Sequence, residues 1–155
     1  MSRAIKDELA SLLALHQDRV YRIALGIAGQ RADAEDIMQD ALLSIARGHR
    51  DFRGDAALST WIYRITLRTA LAWMARHRRG EAAGEAHPDL SAHADAPLDL
   101  SRALARLPLA ARTVLMLVAV EGFSHAEAAR LLDIPEGTVA SRLHHARAQL
   151  RRALG

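Results

Sequence analysis

The stretch EGFSHAEAARLLDIPEGTVASRL, residues 121–143, decides how the rest of this chain is read. Ser124 followed three residues later by Glu127 is a capping-box pair, so a helix starts there. Ala128, Ala129 and Leu132 form an inward stripe at helical spacing. Asp133 falls where the chain must turn, and Asp tolerates the left-handed conformation better than most residues other than glycine. Ile134 precedes proline and is pushed toward an extended conformation. Pro135 suits the first turn of a second helix, where its missing N–H would be unpaired anyway. Val139 and Leu143, four apart, bury one face of that helix. Two short helices joined by such a turn are the pattern of a helix-turn-helix, whose second helix enters the major groove of DNA.

Composition narrows the rest. The 155 residues suffice for one ordinary domain or two small ones. Half are hydrophobic and only 4% aromatic, with Ala and Leu prominent and strand-like runs of Val, Ile and Thr nearly absent. An all-α protein is expected. With no cysteine, disulfides and thiolate chemistry are excluded. No signal peptide and no membrane-length apolar run is visible, so a cytoplasmic protein without membrane insertion is expected. Charge is segregated along the chain. Residues 1–58 are net −1, residues 59–80 net +5 with no acid, residues 81–100 net −5 with no Arg or Lys, and residues 101–155 net +4. Two separated basic segments suit a protein that holds nucleic acid at two places.

Residues 81–100, EAAGEAHPDLSAHADAPLDL, contain Gly, two Pro and no helical period, and read as a flexible linker. The expected architecture is two small helical domains, 5–80 and 98–155, joined by an acidic linker at 81–97. Fully extended, a segment of 20 residues spans roughly 66–72 Å, which approaches two turns of duplex at about 34–36 Å each. Such a linker leaves the angle between the domains free. In the first domain, Leu9, Leu12, Leu13, His16, Val20, Ile23 and Ile27 mark one helix. Ile37, Met38, Ala41, Leu42 and Ile45 mark a second, about 34–47. Leu58, Ile62, Ile65, Thr69 and Trp73 mark the core side of a third, which runs to Arg78. In the second domain, helices are expected at 100–107 and 109–120 ahead of the helix-turn-helix.

Three patches in this order carry a resemblance: ADAEDIMQDALLSIAR (32–47), FRGDAALSTWIYRITLRTALAWMARHRR (52–79) and RLPLAARTVLMLVAVEGFSHAEAARLLDIPEGTVASRLHHARAQLRRAL (106–154). Together they resemble the extracytoplasmic-function (ECF) sigma factors of bacterial RNA polymerase over nearly the whole chain. The resemblance implies that 5–80 is sigma region 2, a helical bundle. There Asp36, Gln39, Asp40 and Leu43 would face the β′ clamp helices of core polymerase. It further implies that Arg53, Ser59, Trp61, Arg64 and Arg68 engage and melt the −10 element, with Trp61 a stacking surface for single-stranded bases and the arginines its cationic neighbours. The 98–155 segment would be region 4, reading the −35 element as duplex through Thr138, Ser141, Arg142, His145 and Arg147. Its helices at 100–107 and 109–120 would meet the β flap. Arg142 would contact a base edge or a phosphate. The resemblance also implies promoter DNA as a ligand and an anti-sigma factor as a controlling partner, with no cofactor, metal, small-molecule substrate or enzymatic activity. No sensory extension is expected after region 4. The chain departs from the family pattern at Ala140, where Lys is common, at Asp133 in place of the turn Gly, and at Leu67, Arg68 and Ala72. These positions bear on promoter sequence more than on role.

The rival readings differ in what they leave unexplained. A metalloenzyme would need ligands that converge. His144 and His145 are adjacent on one helix and diverge by about 100°, and there is no HExxH motif or nucleophile elbow. An ordinary two-domain transcription regulator accounts for 121–143 but not for the two upstream patches. A sigma mimic that sequesters an anti-sigma factor accounts for all three patches, yet it has no need of Arg64, Arg68 and Arg142.

Overall fold

Apolar residues recur every three or four positions through the first half of the chain, and in the computed structural model each such stripe is a helix. The structure describes residues 3–49, 58–78 and 98–155, with no strand among them. Helix α1 (Arg3–Ala28), α2 (Arg31–Gly48) and α3 (Leu58–Arg78) form the first half. Val20, Ile23 and Ile27 of α1 meet Ile37, Ala41 and Ile45 of α2 and Ile62 and Leu67 of α3, all of them buried. Burying side chains of this size stabilises by about 1.5–3 kcal/mol each before entropy is counted.

The second half is α4 (Leu98–Arg106), α5 (Leu109–Leu115), a π-helical turn (Met116–Val120), α6 (His125–Leu132) and α7 (Glu136–Leu154). Pro108 separates α4 from α5. The expected 109–120 helix is therefore present, with a widened last turn in which the Glu121 N–H reaches back to the Met116 carbonyl at 2.9 Å. Gly122 then takes the left-handed conformation (φ 78°), which costs a residue without Cβ nothing. The Phe123 N–H closes the turn on the Leu117 carbonyl at 3.0 Å. Beyond it, α6 opens with the expected reciprocal capping box of Ser124 and Glu127 and ends at Asp133, in the left-handed region at φ 56° and ψ 50°. Pro135 is one position earlier than expected: it is the N-cap residue, and α7 begins at Glu136.

Two corrections concern faces. On α6, Leu131 is buried at 4% exposure, while Leu132 is only half-buried. On α3, the buried residues are Ile62, Tyr63, Thr66, Leu67, Ala70, Trp73 and Met74, while Leu58, Ile65 and Thr69 are half-buried. At 100° per residue the buried face is rotated by about a quarter turn from the expected one. The reason is that α3 is covered on two sides. It packs on α1 and α2, and it also packs on α6 of the second half.

The described residues of the two halves touch. Arg112 of α5, 6% exposed, donates through Nη2 to the Ile27 carbonyl at the end of α1 at 2.6 Å. Arg19 and Arg22 of α1 pair with Glu121, whose side chain is 5% exposed. The Arg19 guanidinium lies between the rings of Tyr63 and Phe123, 5.0 and 4.3 Å from their centroids. A Cβ on Gly26 would lie 2.6 Å from Cγ of Met116.

Candidate nucleic-acid interface

The second helix of the helix-turn-helix is set by Val139, Leu143 and Ala146, which are buried and fix which face points outward. Opposite them Ser141 and His145 are exposed and Thr138 is half-buried. These three lie at i, i+3 and i+7 and share one face. Arg142 is half-buried at the edge of that face, beside a cleft of about 180 Å³ that it lines with Leu71, Leu109, Thr113 and Ile134. Arg147 is exposed, but nine residues after Thr138 it lies half a turn around the helix, so it does not belong to that face. The start of α6, the first helix of the pair, is fixed by local hydrogen bonds. The hydrogen bonds from Ser124 hold the Glu127 carboxyl below the usual carboxylate range, with Glu127 Oε1 accepting from the Ser124 N–H at 3.1 Å.

On α2, Asp36, Gln39, Asp40 and Leu43 are all exposed, and Leu43 keeps 53% of its surface. Their spacing of i, i+3, i+4 and i+7 places them along one stripe, opposite buried Ala34, Ile37, Ala41 and Ile45. That stripe is not isolated. Asp40, Leu43, Ser44 and Arg47 of α2 and Arg68, Thr69, Ala72 and Arg76 of α3 line one open cleft of about 380 Å³. Arg47 and Arg76, which the sequence reading did not single out, make it strongly cationic. Arg76 could have been found from the +5 charge of residues 59–80 once α3 was laid against α2, which brings it beside Arg47.

The remaining residues on α3 do not form one surface. Ser59 is half-buried in the first turn. Trp61 is half-buried, packed on the core and against Gly48 at the end of α2. Arg68 is exposed and faces the α2 cleft. Arg64 was expected, like Arg68, to be a cationic neighbour of Trp61. Instead it crosses to the second half, where Nη2 donates to the Arg130 carbonyl at 3.1 Å. Its Nε is buried without a hydrogen-bond partner among the described residues. Arg53 and the linker lie outside the described residues.

The histidines do not converge. Among the described residues no three His, Asp or Glu side chains are placed to hold a metal. His77 stacks on Trp73 at 3.6 Å, and His144 and His145 meet edge to face at 5.8 Å. Among the described residues no helix is long and apolar enough to cross a membrane.

Comparison with known proteins agrees with this arrangement. The profile of sigma-70 region 2 matches residues 12–80, and that of sigma-70 region 4 matches residues 98–150. The ECF RNA polymerase sigma factor SigM of Mycobacterium tuberculosis is 38% identical over 148 residues, covering 93% of this chain and 76% of SigM. The solved structure of CnrH in complex with the cytosolic domain of CnrY superposes with a TM-score of 0.72 at 25% identity, over 96% of this chain and 88% of that one. The sigma factor RpoE of Bartonella quintana, solved with the anti-sigma factor NepR, has the same fold, with a TM-score of 0.72 at 21% identity over 99% of this chain and 98% of that one. With helices, order and sequence in agreement, the chain belongs to the ECF RNA polymerase sigma factor family.

Proposed function

We propose that this sigma factor divides its work between its two halves, with residues 5–80 docking on core polymerase and melting the −10 element and residues 98–155 reading the −35 element. The observation that carries this is the face of α7. Ser141 and His145 are exposed and Thr138 is half-buried on the outer side of a helix whose inner side is locked by Val139, Leu143 and Ala146. Such a helix can enter a major groove without disturbing its own core. The exposed stripe of Asp36, Gln39, Asp40 and Leu43 serves as the docking face for the β′ clamp helices. An apolar residue 53% exposed beside three polar ones suits a protein partner better than solvent. Ser59, Trp61, Arg64 and Arg68 act at the −10 element, with Arg53 assigned there on sequence grounds alone. Trp61 contributes through the part of its ring that remains open. The helices α4 and α5 meet the β flap.

Control by an anti-sigma factor is part of the same proposal. CnrH and RpoE were each solved with another chain bound, NepR being named an anti-sigma factor. This chain is assigned such a partner by its membership of the family, and a cytoplasmic location goes with it. The test is reconstituted transcription with sigma-free core polymerase and a library of promoter fragments, with the transcripts sequenced. Core-dependent initiation from fragments sharing −35 and −10 motifs is expected. Core binding without initiation would favour a mimic, and duplex binding without core binding an ordinary regulator.

A further inference from the structure

Helices α2 and α3 turn positive charge toward one cleft, and the packing of the fold does not use it. Arg68, Ala72 and Arg76 recur at i, i+4 and i+8 and form one exposed stripe of α3. Ser44 and Arg47 are exposed on α2, and all five line the open cleft of about 380 Å³ between the two helices. Among the described residues, none of the three guanidiniums is paired with a carboxylate. Asp40 is the one acid on the cleft wall, so the lining carries three positive charges against one negative. The hydroxyls of Ser44 and Thr69 add donors without charge. Arg68 and Ala72 are positions at which this chain departs from the family pattern, so membership of the family does not account for the charge of the cleft.

A solvated face accounts for the exposure of these arginines but not for their convergence. Like charges around one gap repel, and an anion between them removes the repulsion. The donors narrow the choice of anion. A guanidinium meets a phosphate with two parallel N–H groups. Arg68 and Arg76 are eight residues apart, about 12 Å along the helix axis, a span suited to a chain of phosphates rather than to one. We propose that Arg47, Arg68 and Arg76 form a polyphosphate site, which takes two or more linked phosphates from a free polyphosphate or from the backbone of a nucleic-acid strand. Ser44 and Thr69 donate to the same oxygens. Asp40 repels the anion and so sets its affinity. The site stands independently of the assignments of Asp40, Leu43 and Arg68 to polymerase and promoter.

The test uses the full chain as wild type, Arg47→Gln, Arg76→Gln, Asp40→Asn and Arg152→Gln. Arg47 and Arg76 are exposed, so their replacement leaves the core intact, which circular dichroism checks. Arg152 is exposed on α7, away from the cleft, and its replacement removes the same single charge. Inorganic triphosphate is titrated by calorimetry, and an abasic single-stranded oligonucleotide by anisotropy at several salt concentrations. Wild type should bind at least one of the two. Arg47→Gln and Arg76→Gln should each weaken that binding by about tenfold, the loss of one charge-assisted contact. Asp40→Asn should tighten it, and Arg152→Gln should leave it unchanged. Triphosphate that follows this order identifies a free polyphosphate as ligand. If the abasic strand alone follows it, with the salt slope falling by about 0.7 for each arginine removed, the phosphates are those of a strand. Binding of neither probe overturns the site. So does binding that the two cleft variants leave unchanged, or that Arg152→Gln weakens as much as they do, since net charge alone would then account for it.

Discussion

Arg112 completes α1 from the other half of the molecule: its Nη2 donates at 2.6 Å to the carbonyl of Ile27, within the last turn of that helix. Carbonyls there have no partner within their own helix. A cation at a helix C-terminus is favoured by the macrodipole as well. The second half is thus bonded to a group the first half cannot satisfy alone. Arg112→Met should leave that carbonyl buried and unpaired and cost about 1–3 kcal/mol. Urea unfolding of the two proteins measures it, and an unchanged midpoint would show that the contact contributes nothing in solution.

The entry to the helix-turn-helix gives a second prediction. Ser124→Ala removes the acceptor that the Glu127 N–H uses at 3.0 Å and should cost about 1 kcal/mol. Asp133→Val forces a β-branched residue to φ 56° and should cost about 1–2 kcal/mol or more. Thermal unfolding followed by circular dichroism reads both. Equal melting temperatures for Asp133→Val and wild type would contradict the turn geometry.

His16 makes stability depend on pH. Its Nδ1 shares a 2.8 Å hydrogen bond with the Tyr63 hydroxyl. Burial first, and the nearby Arg19 charge second, lower its pKa from 6.5. The unfolded chain therefore binds the proton more readily than the folded one. The stability that the neutral ring supports is present above 6.5 and is lost as pH falls through the lower folded value. His16→Gln should flatten the fall in melting temperature below that pH. A variant as pH-sensitive as wild type would assign the effect elsewhere.

Asp40 lies at the meeting of the exposed α2 stripe and the cationic cleft. If that stripe docks on polymerase, Asp40→Arg should weaken core binding by tenfold or more, a loss of about 1.4 kcal/mol. Duplex binding by α7 should be unaffected. Titration against labelled core polymerase measures the first and anisotropy the second. Loss of both together would mean that the substitution had damaged the fold.

Much of this was legible in the residues, for reasons that can be named. The capping box at Ser124, the turn at Asp133 and the inner face of α7 depend on local chemistry, and local chemistry is written in adjacent residues. The four-residue stripe on α2 follows from one helix repeat. The α3 face was misassigned because Tyr63, Leu67 and Ala70 look outward only if nothing covers them, and cover comes from elements distant in sequence, as His16 and Phe123 cover Tyr63. The departure of Arg64 from Arg68 has the same origin: a long side chain follows whatever acceptor the tertiary structure brings near, here the Arg130 carbonyl. That Arg147 lies off the face of Thr138, Ser141 and His145 was legible in the spacing, since nine residues of helix amount to two and a half turns.

The division of labour is tested most directly by sequencing the transcripts that core polymerase makes from a promoter library with wild type, Arg142→Ala and Arg147→Ala. Wild type should select both a −35 and a −10 motif. Arg142→Ala should relax the −35 motif, at a cost of about 1–3 kcal/mol for a lost base contact, and keep the −10 motif. Arg147→Ala should select both as wild type does. Contradiction would come from Arg142→Ala leaving the −35 motif intact, or from no core-dependent transcript with any of the three.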